Sequence, residues 1–108
     1  MEGRKSMSAT SFEKQGIKLT VCPKGRLDTA GSPALWKEMQ EYLDGVQEIT
    51  MDLTNVEYIS SSGFRLLLET DGLMEERGGS MQVIHANEFI LDIFEMIGFE
   101  DVVTVVKE

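Results

Sequence analysis

Apolar residues in this chain switch spacing from two to 3.6 and back three times, with only short turns between the segments. Ile17, Leu19 and Val21 alternate with Lys18, Thr20 and Cys22, the mark of a half-buried strand. Residues 9–15 form a second extended segment, and Gly16 lets the two pair as a hairpin. Residues 23–31 are rich in turn formers and read as a connection. Ser32-Pro33 then reads as an N-cap followed by proline at the first helical position. Leu35, Met39, Tyr42 and Leu43 follow at helical spacing, and Asp44-Gly45 closes this first helix.

The alternation continues to the C-terminus. Residues 46–53 read as a strand with Ile49, Met51 and Leu53 on one face, and residues 54–59 as a loop anchored by Val56 and Ile59. A serine run opens a second helix, whose apolar content is Phe64, Leu66, Leu67, Leu68, Leu73 and Met74. Gly78-Gly79 stops it. Met81, Val83 and His85 mark a strand. Asn87 caps a third helix with a core stripe of Ile90, Ile93, Phe94 and Ile97, closed by Gly98, and residues 102–106 make a last strand. The order β-β-α-β-α-β-α-β calls for right-handed crossovers and a mixed, mostly parallel sheet. The fold class expected is α/β: one domain over residues 9–108, preceded by a flexible tail over residues 1–8.

Composition narrows the function. With 108 residues, a second ordinary domain has no room. The net charge of −9 repels phosphate backbones and anionic lipid headgroups, which argues against nucleic acid and direct membrane binding. A single cysteine, Cys22, excludes an internal disulfide and a cysteine-based metal site. Arg4 and Lys5 are followed by no apolar h-region, and no run reaches transmembrane length. A cytoplasmic protein, a monomer when free, is the expectation.

Enzyme chemistry finds little support. The one histidine, His85, lies on a predicted strand and reads as a packed or edge residue, although a strand's C-terminal end can approach the serines. Gly78-Gly79 follows a helix and precedes a strand, the reverse of a phosphate loop. No metal-ligand spacing and no cofactor motif is present. What stands out is Ser60-Ser61-Ser62-Gly63, three hydroxyls where a helix cap needs one. One capping serine and two turn residues account for it structurally. Its place between a strand and a helix, at the carboxyl edge of the sheet, also suits a binding site. A phosphate there is favoured by the helix dipole, so phosphorylation acts on docking more than on folding.

The segment Asp52-Leu53-Thr54, Val56, Tyr58-Ile59 and Ser61-Ser62-Gly63 resembles the STAS family (sulfate transporter and anti-sigma factor antagonist domains), especially its stand-alone anti-sigma factor antagonists. Gly25-Arg26-Leu27-Asp28 resembles the turn before that family's first helix, and the likeness runs from about residue 10 to residue 106. The resemblance implies a non-enzymatic partner switch. Unphosphorylated, the antagonist binds an anti-sigma factor and frees a sigma factor. The anti-sigma factor, itself a serine kinase, then inactivates it by phosphorylating the serine before the glycine. Here that serine is Ser62, with Ser61 as second choice, and the partner-binding set is Asp28, Ser60, Ser61, Ser62 and Gly63. The family commonly has aspartate where this chain has Ser60. Two alternatives are a STAS docking subunit of a transport or signalling assembly that is not phosphorylated, and a nucleotide-binding STAS protein.

Overall fold

The computed structural model describes residues 10–107; the tail expected over residues 1–8 lies outside them. β1 (Ser11–Gln15) and β2 (Lys18–Cys22) form the expected antiparallel hairpin, turning at Gly16, whose φ of +61° suits glycine. β3 (Lys24–Leu27) precedes α1 (Gly31–Gln40). β4 (Glu48–Asp52) and β5 (Asn55–Ile59) lead into α2 (Ser61–Glu76). β6 (Ser80–Ile84), α3 (Glu88–Ile97), a 3-10 turn at Phe99–Asp101 and β7 (Thr104–Val106) complete the chain. The main sheet runs β1-β2-β4-β6-β7, parallel apart from the hairpin. The expected mixed, mostly parallel α/β architecture is the one observed.

Alternation along the central strands explains the layering. Leu19, Val21, Ile49, Met51, Met81 and Val83 are buried on one face, while Thr20, Cys22, Thr50, Asp52, Gln82 and Ile84 face the other and stay exposed or half-buried. Side chains of a strand point alternately to opposite faces, so the core lies on one side of the sheet. Phe94 stacks on Phe99 with centroids 4.3 Å apart, and Phe64 meets Phe94 edge-on at 5.7 Å, tying α2 to α3 and the 3-10 turn.

Two connections expected to be irregular are strands. β3 and β5 pair in parallel as a separate two-stranded sheet, Leu27 opposite Ile59. The register shifts between Gly25, opposite Val56, and Arg26, opposite Tyr58, which leaves Glu57 without a partner. This bulge puts the two buried residues of β5, Val56 and Ile59, three positions apart. Period-two alternation is thereby erased from the sequence.

Helix boundaries and faces differ from expectation in four places. Ser32 is not the cap of α1: the helix begins at Gly31, and Asp28 Oδ1 accepts the N–H groups of Ala30 and Gly31 at 3.2 and 2.9 Å. Pro33, third in the helix, is tolerated because the first four N–H groups lack intrahelical acceptors anyway. α1 ends at Gln40, so Tyr42 and Leu43 lie beyond it, Leu43 still buried. In α2 the buried stripe is Gly63, Leu66, Leu67, Thr70, Asp71 and Met74, and Leu68 is exposed. In α3 only Ile90 and Phe94 are fully buried; Ile97 is 52% exposed, and the neighbouring Met96 80%.

The glycine stop is as expected. Gly78, at φ +77°, follows the last residue of the helix end, with Gly78 N–H donating to Glu75 O and Gly79 N–H to Met74 O. This is the Schellman pattern. Gly79 also presses on the chain before β4: a Cβ there would meet Gln47 O at 1.9 Å.

Candidate functional site

The serine turn is fixed by the small sheet that sequence periodicity does not disclose. β5 delivers Ser60 beside the end of β3, where Ser60 N–H donates to Leu27 O at 2.9 Å and Ser60 Oγ to the same oxygen at 3.4 Å. Asp28 follows Leu27 directly. Pairing of β3 with β5 therefore brings the Asp28 turn and the serine turn, over thirty residues apart in sequence, to one edge of the molecule.

Each serine has a distinct place. Ser60 is the N-cap of α2, and its Oγ accepts the Ser62 N–H at 3.2 Å. It thus does at this position the capping work an aspartate carboxylate also does. Ser61 is exposed and Ser62 half-buried, both in the first turn of α2, where the helix dipole favours negative charge. Gly63, expected among the partner-binding residues, is buried at the start of α2. Its role is close packing: a Cβ there would lie 2.5 Å from Leu27 O and 2.7 Å from Ile59 Cγ2.

Asp28 caps α1 with one oxygen and turns the other toward Arg26, whose Nε is 3.7 Å away. The Gly31 N–H, foremost, and those of Ala30 and the Arg26 charge hold its carboxyl below the usual carboxylate range. A folded pKa below the unfolded one contributes stability above the unfolded value, about 3.9, which is lost as pH falls through the folded value. Asp28→Ala is therefore expected to lower Tm at pH 7, with the deficit shrinking as pH drops below about 4. Thermal melts of both proteins across that range check it.

Arg26 also lies over the ring of Tyr58, 4.5 Å from its centroid, and Tyr58 stacks on Phe89 at 6.4 Å. The edge beside the two turns is thus a row of one cation and two aromatic rings. On the far side of the serines is a cleft of about 250 Å³ between α1 and α2, bounded by Ser32, Pro33 and Trp36 on one helix and Ser62, Arg65 and Leu66 on the other. Ser32, Arg65 and Trp36 were not among the expected site residues. The signal for Arg65 is its spacing, three residues after Ser62 and hence on the same helix face.

His85 belongs elsewhere. It follows β6 in the left-handed region at φ 61°, exposed, with Nδ1 3.0 Å from Asp52 Oδ1 and 3.1 Å from Thr54 Oγ1. Among the described residues no hydrogen bond joins it to a serine. Burial pushes the Asp52 carboxyl up, but hydrogen bonds from Thr54 Oγ1, the Thr54 N–H and the His85 ring outweigh that and bring it below its ordinary value. Burial, and after it the Asp52 charge, raise the Cys22 thiol, so it does not have the depressed pKa of a reactive cysteine. Among the described residues no cluster of His, Cys, Asp and Glu suits a metal ion, and no helix is long and apolar enough to cross a membrane.

Comparison with known proteins bears on this edge. The chain is 21% identical over 81 residues to the anti-sigma-B factor antagonist of Bacillus subtilis (strain 168), covering 75% of this chain and 74% of that one. It is similar in structure to the anti-sigma factor antagonist SpoIIAA in its unphosphorylated form, with a TM-score of 0.73 at 14% identity over 93% of this chain and 89% of that one. The likeness to the phosphorylated form of the Bacillus cell fate determinant SpoIIAA has a TM-score of 0.71 at 16% identity, covering 93% of both chains. At these identities the structures speak for the fold. The family model described as "Mlab, STAS domain" matches residues 9–106, from the opening hairpin through both turns to the last strand. With its hairpin, its one-sided mixed sheet and its serine turn in that register, the chain belongs to the STAS domain family.

Proposed function

We propose that this protein is an anti-sigma factor antagonist, a binding protein without catalytic activity, working in the cytoplasm as a monomer when free. Unphosphorylated, it binds an anti-sigma factor through the edge formed by Asp28, Ser60, Ser61 and Ser62, and the sigma factor held there is released. Phosphorylation of Ser62 by that anti-sigma factor, acting as a serine kinase, ends the interaction. The observation that carries the reading is the half-buried Ser62 in the first turn of α2, beside the Asp28 turn, with the cap already supplied by Ser60. The relatives named as anti-sigma factor antagonists support the same role.

In the transfer, Ser62 Oγ forms a bond to the γ-phosphorus of ATP, the bond from that phosphorus to the β–γ bridging oxygen breaks, and ADP leaves. The hydroxyl proton passes to a base on the kinase. The chain supplies the nucleophile and an N-terminal helix field that suits the product dianion. Incubation with the cognate anti-sigma kinase and ATP, followed by mapping of the modified residue, is expected to find the phosphate on Ser62. Absence of phosphate from both Ser61 and Ser62 overturns the switch.

A further inference from the structure

We propose that the cleft between α1 and α2 is the seat of the Ser62 phosphoryl group, with the Arg65 guanidinium and the Ser32 hydroxyl as its partners. This rests on the reading of Ser62 as phosphoacceptor and goes beyond it, because it assigns where the phosphate goes and what holds it.

Three observations converge on the cleft. Ser32 is only 3% exposed, lines the cleft, and its Oγ has no hydrogen-bond partner. A buried hydroxyl is normally paired, and one that is not is desolvated without return. Ser62 opens onto the same cleft from the first turn of α2. Arg65, three residues further along α2, also lines it, is exposed, and makes no ion pair among the described residues. An anion attached to Ser62 Oγ therefore meets a cation one helical turn away, a helix N-terminus beneath it, and an unsatisfied donor across from it.

The opposite charge in the cleft sets the limit of the seat. Glu69 also lines it, seven residues beyond Ser62 and thus about 10 Å further along the helix axis. Its carboxylate repels a phosphate from that end and leaves the Ser62 end as the favourable one. The seated phosphate bridges the two helices, from Ser62 and Arg65 on α2 to Ser32 on α1. Modification thereby ties together the elements on either side of the docking edge and withdraws Arg65 from any partner.

The test uses the full chain with phosphoserine incorporated at position 62 during translation, so no kinase is needed. By 31P NMR the second phosphate ionisation is expected below its usual value of about 6, and to move back up in R65Q and, less far, in S32A. Phosphorylation is expected to raise Tm in the wild-type background and to raise it less in either variant. Unphosphorylated S32A is expected to be no less stable than wild type, since it removes an unpaired hydroxyl. A titration curve and Tm gain identical in wild type, R65Q and S32A overturn the seat. Binding of the same phosphoprotein to the anti-sigma factor reports on the switch separately. Tight binding together with an Arg65-dependent titration retains the seat and rejects the switch. Lost binding with an Arg65-independent titration does the reverse.

Discussion

Alanine at Gly63 is expected to destabilise the fold by about 3 kcal/mol, on the order of 10–20 °C in Tm, and to weaken anti-sigma binding by the molecules that remain folded. The added Cβ would sit 2.5 Å from Leu27 O, 2.7 Å from Ile59 Cγ2 and 3.0 Å from Leu27 Cβ. Two of these atoms belong to the backbone oxygen and Cβ of Leu27, at the end of β3, and cannot swing aside as the tip of a flexible side chain does. Leu27 O also accepts the Ser60 N–H, so the displacement falls on the joint that holds the Asp28 and serine turns together.

Gly79→Ala is the matching control. Its Cβ would lie 1.9 Å from Gln47 O, the acceptor of the Ser80 N–H, so its stability loss is expected to be at least as large. That clash is at the other end of α2, away from the serines. Urea melts are expected to show both variants weakened. Binding measured under conditions where each is folded is expected to be about tenfold poorer for Gly63→Ala and unchanged for Gly79→Ala. Unchanged affinity in Gly63→Ala would reduce that glycine to a packing residue with no bearing on the site.

The difference between these glycines shows what the sequence discloses. Elements whose burial follows a regular period are legible: β2, β4, β6, α2 with its glycine stop, and α3 with its Asn87 cap, whose Oδ1 accepts the Ile90 N–H at 2.8 Å. β3 and β5 are not, because a four-residue strand and a bulged one bury too few side chains to set a period, and their pairing is long-range. The cap of α1 is misread for a local reason. Ser32-Pro33 has the composition of a helix start, but Asp28, three residues before Gly31, captures the free amides first. Ile97 continues the helical stripe of Ile90 and Phe94, yet α3 ends there and the 3-10 turn covers only the side where Phe99 packs on Phe94. For the site, the serine motif is visible as a hydroxyl excess, and its nearness to Asp28 follows from resemblance. The Ser32 hydroxyl and the cleft are invisible, since they depend on how α1 and α2 pack.

The serine run itself separates into roles that a binding experiment can resolve. Ser62→Ala is expected to keep both stability and affinity for the anti-sigma factor, because its hydroxyl caps nothing and the Ser60 side chain still accepts the backbone N–H at position 62. Ser60→Ala is expected to cost about 1 kcal/mol of stability through the lost cap, with only a secondary effect on binding. Ser62→Glu places a negative charge where α2 tolerates it, so the helix is expected to stay intact. Its affinity is nevertheless expected to fall about 100-fold, close to 2.7 kcal/mol, because the carboxylate occupies the edge the partner must cover. Circular dichroism and calorimetric titration of the three variants separate fold from docking. If Ser62→Ala loses affinity as badly as Ser62→Glu, the hydroxyl is a direct contact, and charge is not what turns the interaction off. If only Ser62→Glu loses it, the change at this edge is electrostatic, and the capping and signalling duties of the run rest on different serines.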